Sequence, residues 1–421
     1  QALRAVSCGV ADTYLPRLAD HVIADLLRDV PGVLIVGARA TGKTTTAARQ
    51  ARSIVRLDRA AEAEAFRADP DAALARLPEP VLLDEWQAVP GVLGAVKRAV
   101  DQLGSPRGRF LVSGSVRDDL MASSWPITGR LVRVEMNGLT VRETLRGDLR
   151  ARPFLTRAAE DSLDPPADPP DLVGYVELAV RGGFPEPVLD LAPRRRGAWM
   201  AGYLDRLFTR DVAEVDVPRD TARLARFFEA YAISSGGEAT DRTLLEAAGI
   251  DRRTGVAYER LLTALLLVEA LPAWHTNRLK RLVRAPKRFV RDPGLVAAAL
   301  NVDVDDILRD GNLLGRMIET FVVGQLRAEL ALYDRPPRLH HLRTASGGRE
   351  VDLVAEIGFQ KIVAIEIKAR SAATREHARH LAWLRDQLGD AFVAGVVLHT
   401  GPHVYRLGER ITAAPIASIW S

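Results

Sequence analysis

The chain has 421 residues, 47% hydrophobic and 27% charged, a balance that excludes a disordered polypeptide and predicts several folded domains rather than one core. Its 58 basic residues nearly offset 54 acidic ones, leaving a net +4, so charge alone does not mark it for nucleic acid or an anionic membrane. One cysteine, Cys8, excludes an intrachain disulfide and a cysteine-based zinc site and suits a reducing, cytoplasmic interior.

In chain order, short continuous apolar runs at Gly32 to Val36, Pro80 to Leu83, Arg109 to Ser113 and Leu131 to Val134 read as buried parallel strands. Helical patterns over Thr44 to Ile54 and Val92 to Leu103 alternate with them, which is an α/β arrangement. The segment DSLDPPADPPD, residues 161–171, holds too many prolines for a helix or central strand and marks an insertion or boundary. Residues 173–215 read as helical. From about Arg223 the order helix, helix, turn, helix and two strand-like runs is that of a winged helix. From Asn312 the order is helix, three strands, helix, strand. Four domains follow: an α/β core over 1–145, a helical lid region over 146–218, a winged helix over 219–295 and a second α/β domain over 296–421. No apolar run reads as a signal peptide or membrane span, and the greasiest stretch, Leu261 to Trp274, is broken by Glu269.

The run VLIVGARATGKTTTAAR carries the first chemistry. Gly37-Ala38-Arg39-Ala40-Thr41-Gly42-Lys43-Thr44 matches GxxxxGK[ST] between a strand and a helix. Backbone N–H groups from Ala38 to Thr45 would face a phosphate at a helix N-terminus, where unsatisfied donors and the macrodipole favour an anion. Lys43 would reach the β- and γ-phosphates of ATP, and the Thr44 hydroxyl would ligate Mg²⁺. With only six lysines among 58 basic residues, a lysine at this position is telling. A glycine turn beside an exposed lysine is the bland alternative. The run VLLDEWQ ends an apolar strand in two carboxylates, Asp84 to hold the magnesium water shell and Glu85 to deprotonate the attacking water. Ser113, at the end of RFLVSGS, falls near both motifs if the sheet is parallel. A cation for the transition state would come from Arg130, Arg206 or Arg210.

With these residues in view, the chain resembles a group of prokaryotic AAA-type ATPases with a C-terminal domain of unknown function related to the PD-(D/E)xK nuclease fold. The likeness rests on the phosphate loop, DEWQAVPGVL, the SGS strand end, ITGR before LVRVEMNGLT, RGGFPEPV and YLDRLFTRDV. It implies an AAA-type parallel-sheet domain with a helical lid and a restriction-endonuclease-like end. It also implies nucleotide contacts at Gly37 to Thr45, magnesium through Asp84 and hydrolysis through Glu85. Trp86 stands where the family usually has an aliphatic residue.

Within the winged-helix region, Leu261, Leu262, Leu265 and Leu266 repeat at helical spacing, as suits a DNA-reading helix or one that packs domains. The wing concentrates Arg278, Lys280, Arg281, Arg284, Lys287, Arg288 and Arg291 without an acid among them, a surface for nucleic-acid phosphates or a solvated face.

In REVDLVAEIGFQKIVAIEIKAR, alternation puts Glu366 and Lys368 on one strand face, and correct register brings Asp352 of the preceding strand beside Glu366. Asp352 and Glu366 would bind a second divalent metal, with Lys368 positioning water and Glu319 from the upstream helix as fourth member. The same residues resemble the PD-(D/E)xK pattern, with Val351 in place of proline. An inherited fold with a structural ion pair is the alternative. Three functions stay open: an ATPase coupled to a nuclease-like region, a nucleotide-gated DNA-binding or signalling switch, and an ATP-gated nuclease. Oligomeric state is left open.

Overall fold

A computed structural model describes residues 14–102, 104, 106–114, 127–211, 220–237, 239–275, 285–344 and 348–421. They form two compact units.

The first unit comprises the described residues through Leu139, with Glu143–Leu149 and Ala264–Leu266. Helix α1 (Leu18–Asp29) leads into β1 (Gly32–Val36), and β2 (Ser53–Arg56), β3 (Val81–Asp84), β4 (Phe110–Gly114) and β5 (Leu131–Glu135) complete a sheet of order β2-β3-β4-β1-β5. Every pairing is parallel. Side chains alternate across it: Val33 and Ile35 pack with Ile23, Leu82 and Leu111 on one face, Leu34 and Val36 with Val92, Val96 and Val100 on the other. The inner strands β1, β3 and β4 are buried on both faces, which is why they read as unbroken apolar runs. Two helices flank the strands that matter most, α2 (Lys43–Ala48) after β1 and α3 (Val92–Gln102) after β3.

One expected helix, Thr44 to Ile54, is instead α2 followed by edge strand β2. The helix stops at Ala48 because Ile54 and Val55 pair with Leu82 and Leu83 of β3. β-Branched residues at a sheet edge outweigh a weak helical pattern.

The second unit comprises Thr140–Arg142, Arg150–Thr263 and Leu267–Ser421. Residues 162–170 carry neither helix nor strand, as their prolines predict. Helices α4 (Leu172–Arg181) and α5 (Pro193–Arg206) follow. Next come α6 (Thr221–Ile233), α7 (Asp241–Ala248) and α8 (Arg252–Ala264), then a ribbon of β6 (Val268–Leu271) and β7 (Lys287–Val290), paired antiparallel. Thr240 caps α7 by accepting from the Thr243 amide, and Gly249, at φ +62°, ends it.

After α9 (Pro293–Leu300) and α10 (Gly311–Glu329), a mixed six-stranded sheet has order β12-β13-β11-β10-β9-β8. Its members are β8 (Arg338–Arg343), β9 (Glu350–Gly358), β10 (Lys361–Lys368), β11 (Phe392–His399), β12 (Tyr405–Gly408) and β13 (Ile411–Pro415), with α11 (Arg379–Leu388) between β10 and β11. The last two strands were absent from the sequence reading. Thr412-Ala413-Ala414-Pro415 has little intrinsic strand preference, and pairing with Val396 to His399 makes it one.

Candidate active site of the first unit and carboxylate cluster of the second

The phosphate loop begins where β1 ends. Register sets Ile35 opposite Ser113, and Asp84 of β3 opposite the same serine, so the carboxyl ends of β1, β3 and β4 meet at one edge of the sheet. Gly37 is required there: a Cβ would lie 2.4 Å from the Met136 carbonyl oxygen. Ala40 at φ +63° and Gly42 at φ +91° turn the loop into α2.

Lys43 is buried, and its ammonium donates to the Gly37 and Ala38 carbonyls at 3.0 and 2.8 Å. Burial pulls its pKa below the ordinary lysine value, against the opposing pull of Glu85 and Asp84. Asp84 gathers two hydroxyls on one oxygen: Thr44 Oγ1 donates to Oδ1 at 2.9 Å and Ser113 Oγ at 2.5 Å. The carboxylate is thus held between the loop and the third strand. Glu85 follows in the left-handed region at φ +50°, a conformation that costs a non-glycine residue about 1–3 kcal/mol. The Gln87 side-chain amide donates to it. Gly114 makes room for this turn, since a Cβ there would meet Gln87 and Trp86 at 2.3 and 2.9 Å. Trp86 is buried against the core.

Among the expected residues, Gly37, Ala38, Arg39, Ala40, Thr41, Gly42, Lys43, Thr44 and Thr45 form the loop and first turn of α2, with Asp84, Glu85 and Ser113 beside it. Arg130 does not join them. Leu131 pairs with Gly32 at the amino end of β1, the far edge from the loop, and the Arg130 guanidinium pairs with Asp101 at the end of α3. Arg206 is exposed at the end of α5, and the Arg210 side chain lies outside the described residues.

The sequence reading missed Arg17. It is buried, with Nε on Glu143 at 3.1 Å, Nη1 on the Thr41 carbonyl at 2.9 Å and Nη2 on the Asn137 carbonyl at 2.7 Å. One guanidinium therefore ties the phosphate loop to the chain after β5. The single local signal is Asp20, three residues on, whose carboxylate accepts from the Arg17 amide as a helix-start contact.

In the second unit the expected register holds. Ile365 pairs with Leu353, which brings Asp352 to Glu366 at the next position, and the Ile367 amide donates to Asp352 at 2.8 Å. Lys368 Nζ lies 2.7 Å from Glu366 and 3.5 Å from Asp352. Burial and the neighbouring Asp352 raise the Glu366 pKa well above the carboxylate range. Burial also acts against Asp352, but Lys287 and Lys368 hold it below its ordinary value. Glu319 reaches the same place from α10.

Lys287 overturns part of the wing expectation. Its side chain is 2% exposed, and its ammonium sits 2.5 Å from Glu319 and 3.7 Å from both Glu350 and Asp352. Burial opposes its charge, yet the three carboxylates raise its pKa above the ordinary value, while burial pushes Glu319 up to about 8. Arg288 is likewise buried between Glu259 and Asp241, and Arg291 pairs with Glu269. Lys287 and Arg288 of β7, and Arg291 just after it, thus face protein carboxylates. Arg278, Lys280, Arg281 and Arg284 lie outside the described residues. A second metal at Asp352 and Glu366 does not fit either: an ammonium already faces Asp352. Among the described residues no three His, Cys, Asp or Glu side chains are arranged to hold a metal ion. No helix among them is long and apolar enough to cross a membrane.

Residues 30–145 match the model of an AAA domain, residues 173–306 a domain of unknown function (DUF8612) and residues 314–419 another (DUF4143). Among solved structures, the Walker-type ATPase PABY2304 of Pyrococcus abyssi is 16% identical at a TM-score of 0.43, covering 69% of this chain and 96% of its own. PCH-2 of C. elegans is 11% identical at a TM-score of 0.21, covering 48% and 61%. The uncharacterized proteins Mb2031c of Mycobacterium bovis and Rv2008c of Mycobacterium tuberculosis are each 30% identical over 398 residues, 93% of this chain and 82% of theirs. The chain therefore belongs to the family of these two mycobacterial proteins, and its residues 30–145 form an AAA-family, ATPase-like domain.

Proposed function

We propose that the protein is a cytoplasmic, Mg²⁺-dependent ATPase of the AAA class whose nucleotide state is passed to a winged-helix region and a nuclease-like C-terminal sheet. The observation that carries this reading is the convergence of the Thr44 and Ser113 hydroxyls on Asp84 Oδ1 beside a glycine loop with a buried lysine.

The residues suit the ligand. Loop amides from Ala38 to Thr45 and the Lys43 ammonium would hold the phosphates, Thr44 would ligate the magnesium ion, and Asp84 would hold its water shell. Bound Mg²⁺·ATP supplies a phosphoanhydride bond open to attack by water. Glu85 takes the proton from that water. Ser113 fixes the Asp84 carboxylate by donating to it, and Gln87 restrains Glu85 through its amide. Lys43 exchanges its two carbonyl partners for phosphate oxygens, so the loop lysine itself registers whether nucleotide is present.

Lys43→Ala is expected to lower ATP turnover more than 100-fold, order of magnitude, with the fold intact. Calorimetry on well-folded wild-type protein showing no ATP uptake in the presence of Mg²⁺ would overturn the reading. A second reading, favoured by the lysine among the C-terminal carboxylates, is a nucleotide-gated switch that cuts nothing. In it, Arg278, Lys280, Arg281 and Arg284 remain as phosphate contacts, and a mobility shift insensitive to salt would count against them.

A further inference from the structure

Three largely buried carboxylates of the second unit, Glu319 on α10, Asp352 on β9 and Glu366 on β10, form a cluster with the half-exposed Glu350 of β9 at its rim. So many carboxylates so little exposed to water cannot stand together without cations. A sheet of the nuclease-like kind would supply a divalent ion. This chain supplies two ammonium groups of its own. Lys368 comes from β10, two residues beyond Glu366, as alternation predicts. Lys287 comes from β7, in the ribbon that follows α8, far away in sequence from the strands that carry the acids.

We propose that Lys287 is the resident cation of this cluster, standing in the place of a divalent metal, so that the C-terminal sheet binds no metal there and does not hydrolyse phosphodiesters. The inference does not depend on the nucleotide site.

Three observations carry it. First, the Lys287 side chain is 2% exposed and its Nζ lies 2.5 Å from Glu319 Oε1, in direct contact with that carboxylate. Second, three further carboxylate oxygens are engaged within the protein, while Glu366 Oε1 has only His380, at 4.0 Å. Asp352 Oδ1 faces Lys287 at 3.7 Å, Asp352 Oδ2 accepts the Ile367 amide at 2.8 Å, and Glu366 Oε2 faces Lys368 at 2.7 Å. Third, a divalent ion placed between Glu319 and Asp352 would lie within a few ångströms of a fixed ammonium, a repulsion that is largest where water is excluded. Strand pairing holds the Lys287 backbone opposite Leu271 of β6, beside the cluster. The cluster thus fastens the ribbon to the carboxylate-bearing sheet and is closed by that act.

The test is Mn²⁺ binding to the full chain without nucleotide, read by electron paramagnetic resonance as bound equivalents. Wild type and Asp352→Asn are expected to bind the same number. Lys287→Met is expected to gain one equivalent, which the double variant Lys287→Met/Asp352→Asn loses again. Should Lys287→Met not fold, the first comparison decides alone, with Glu366→Gln as a second check. A wild-type protein holding one Mn²⁺ equivalent that Asp352→Asn lacks would overturn the proposal. So would a folded Lys287→Met variant that gains none.

Discussion

Ser113 Oγ donates to Asp84 Oδ1 across 2.5 Å, between two residues paired in register on adjacent parallel strands. The same oxygen takes the Thr44 hydroxyl at 2.9 Å. A buried carboxylate with two donors on one oxygen is fixed in rotation, as the proposed contact with a metal-bound water shell would require. Removing the serine hydroxyl should loosen it without emptying the pocket. Ser113→Ala is therefore expected to lower kcat for ATP about tenfold, roughly 1.4 kcal/mol, while KM changes little. Steady-state kinetics separates the two, and a rise in KM at constant kcat would assign Ser113 to substrate binding instead.

Arg17 and Glu143 form a buried ion pair, 5% and 2% exposed, that also carries the Thr41 carbonyl of the phosphate loop. Cutting one partner leaves the other charged in the interior. Arg17→Ala should cost about 3–5 kcal/mol in denaturant unfolding of the first unit. Arg17→Lys should recover part of that, because a lysine restores the charge but not the three-way fork. Equal stability of Arg17→Ala and wild type would show that the loop stands without this brace.

Gly37 admits no side chain: the Met136 carbonyl would lie 2.4 Å from a Cβ. For Gly37→Ala, either β1 or the segment after β5 must move, and the loop amides move with it. ATP affinity measured by calorimetry is expected to fall at least tenfold, about 1.4 kcal/mol, with the circular dichroism spectrum unchanged.

His399 offers a pH handle in the second unit. Its Nδ1 accepts from the Gly401 amide at 3.1 Å, which leaves Nε2 to donate to the His403 carbonyl at 3.0 Å, so the ring is held neutral. Burial is the largest cause that lowers its pKa from 6.5. For a base lowered on folding, the stability contribution is complete above the unfolded value of 6.5 and is lost as pH falls toward the folded value. Melting temperature should therefore drop as pH falls below 6.5. His399→Asn keeps an acceptor for Gly401 but cannot titrate, so it should flatten that drop. An unchanged slope would place the titrating group elsewhere.

Much of this molecule was legible in its residues because the signals are local. GxxxxGK[ST] needs only eight consecutive positions between a strand and a helix, and the alternation that puts Glu366 and Lys368 on one face is a property of any extended chain. Even the neighbour relation of Asp352 and Glu366 follows from a tight turn between two adjacent strands. What no run of residues specified was the destination of charged groups whose partners lie far off in sequence. Lys287 reads as part of a basic wing because its near neighbours are arginines, yet strand pairing with β6 turns it toward Glu319 and Asp352. Arg130, the arginine of ITGR, reads as a catalytic cation, yet the pairing of Leu131 with Gly32 sends it to the far edge of the sheet. Arg17 carries no motif at all and becomes the brace of the phosphate loop through Glu143 and Thr41. A side chain's charge is written in the sequence, but its energy depends on which charges surround it and how much water is removed, and packing alone decides both.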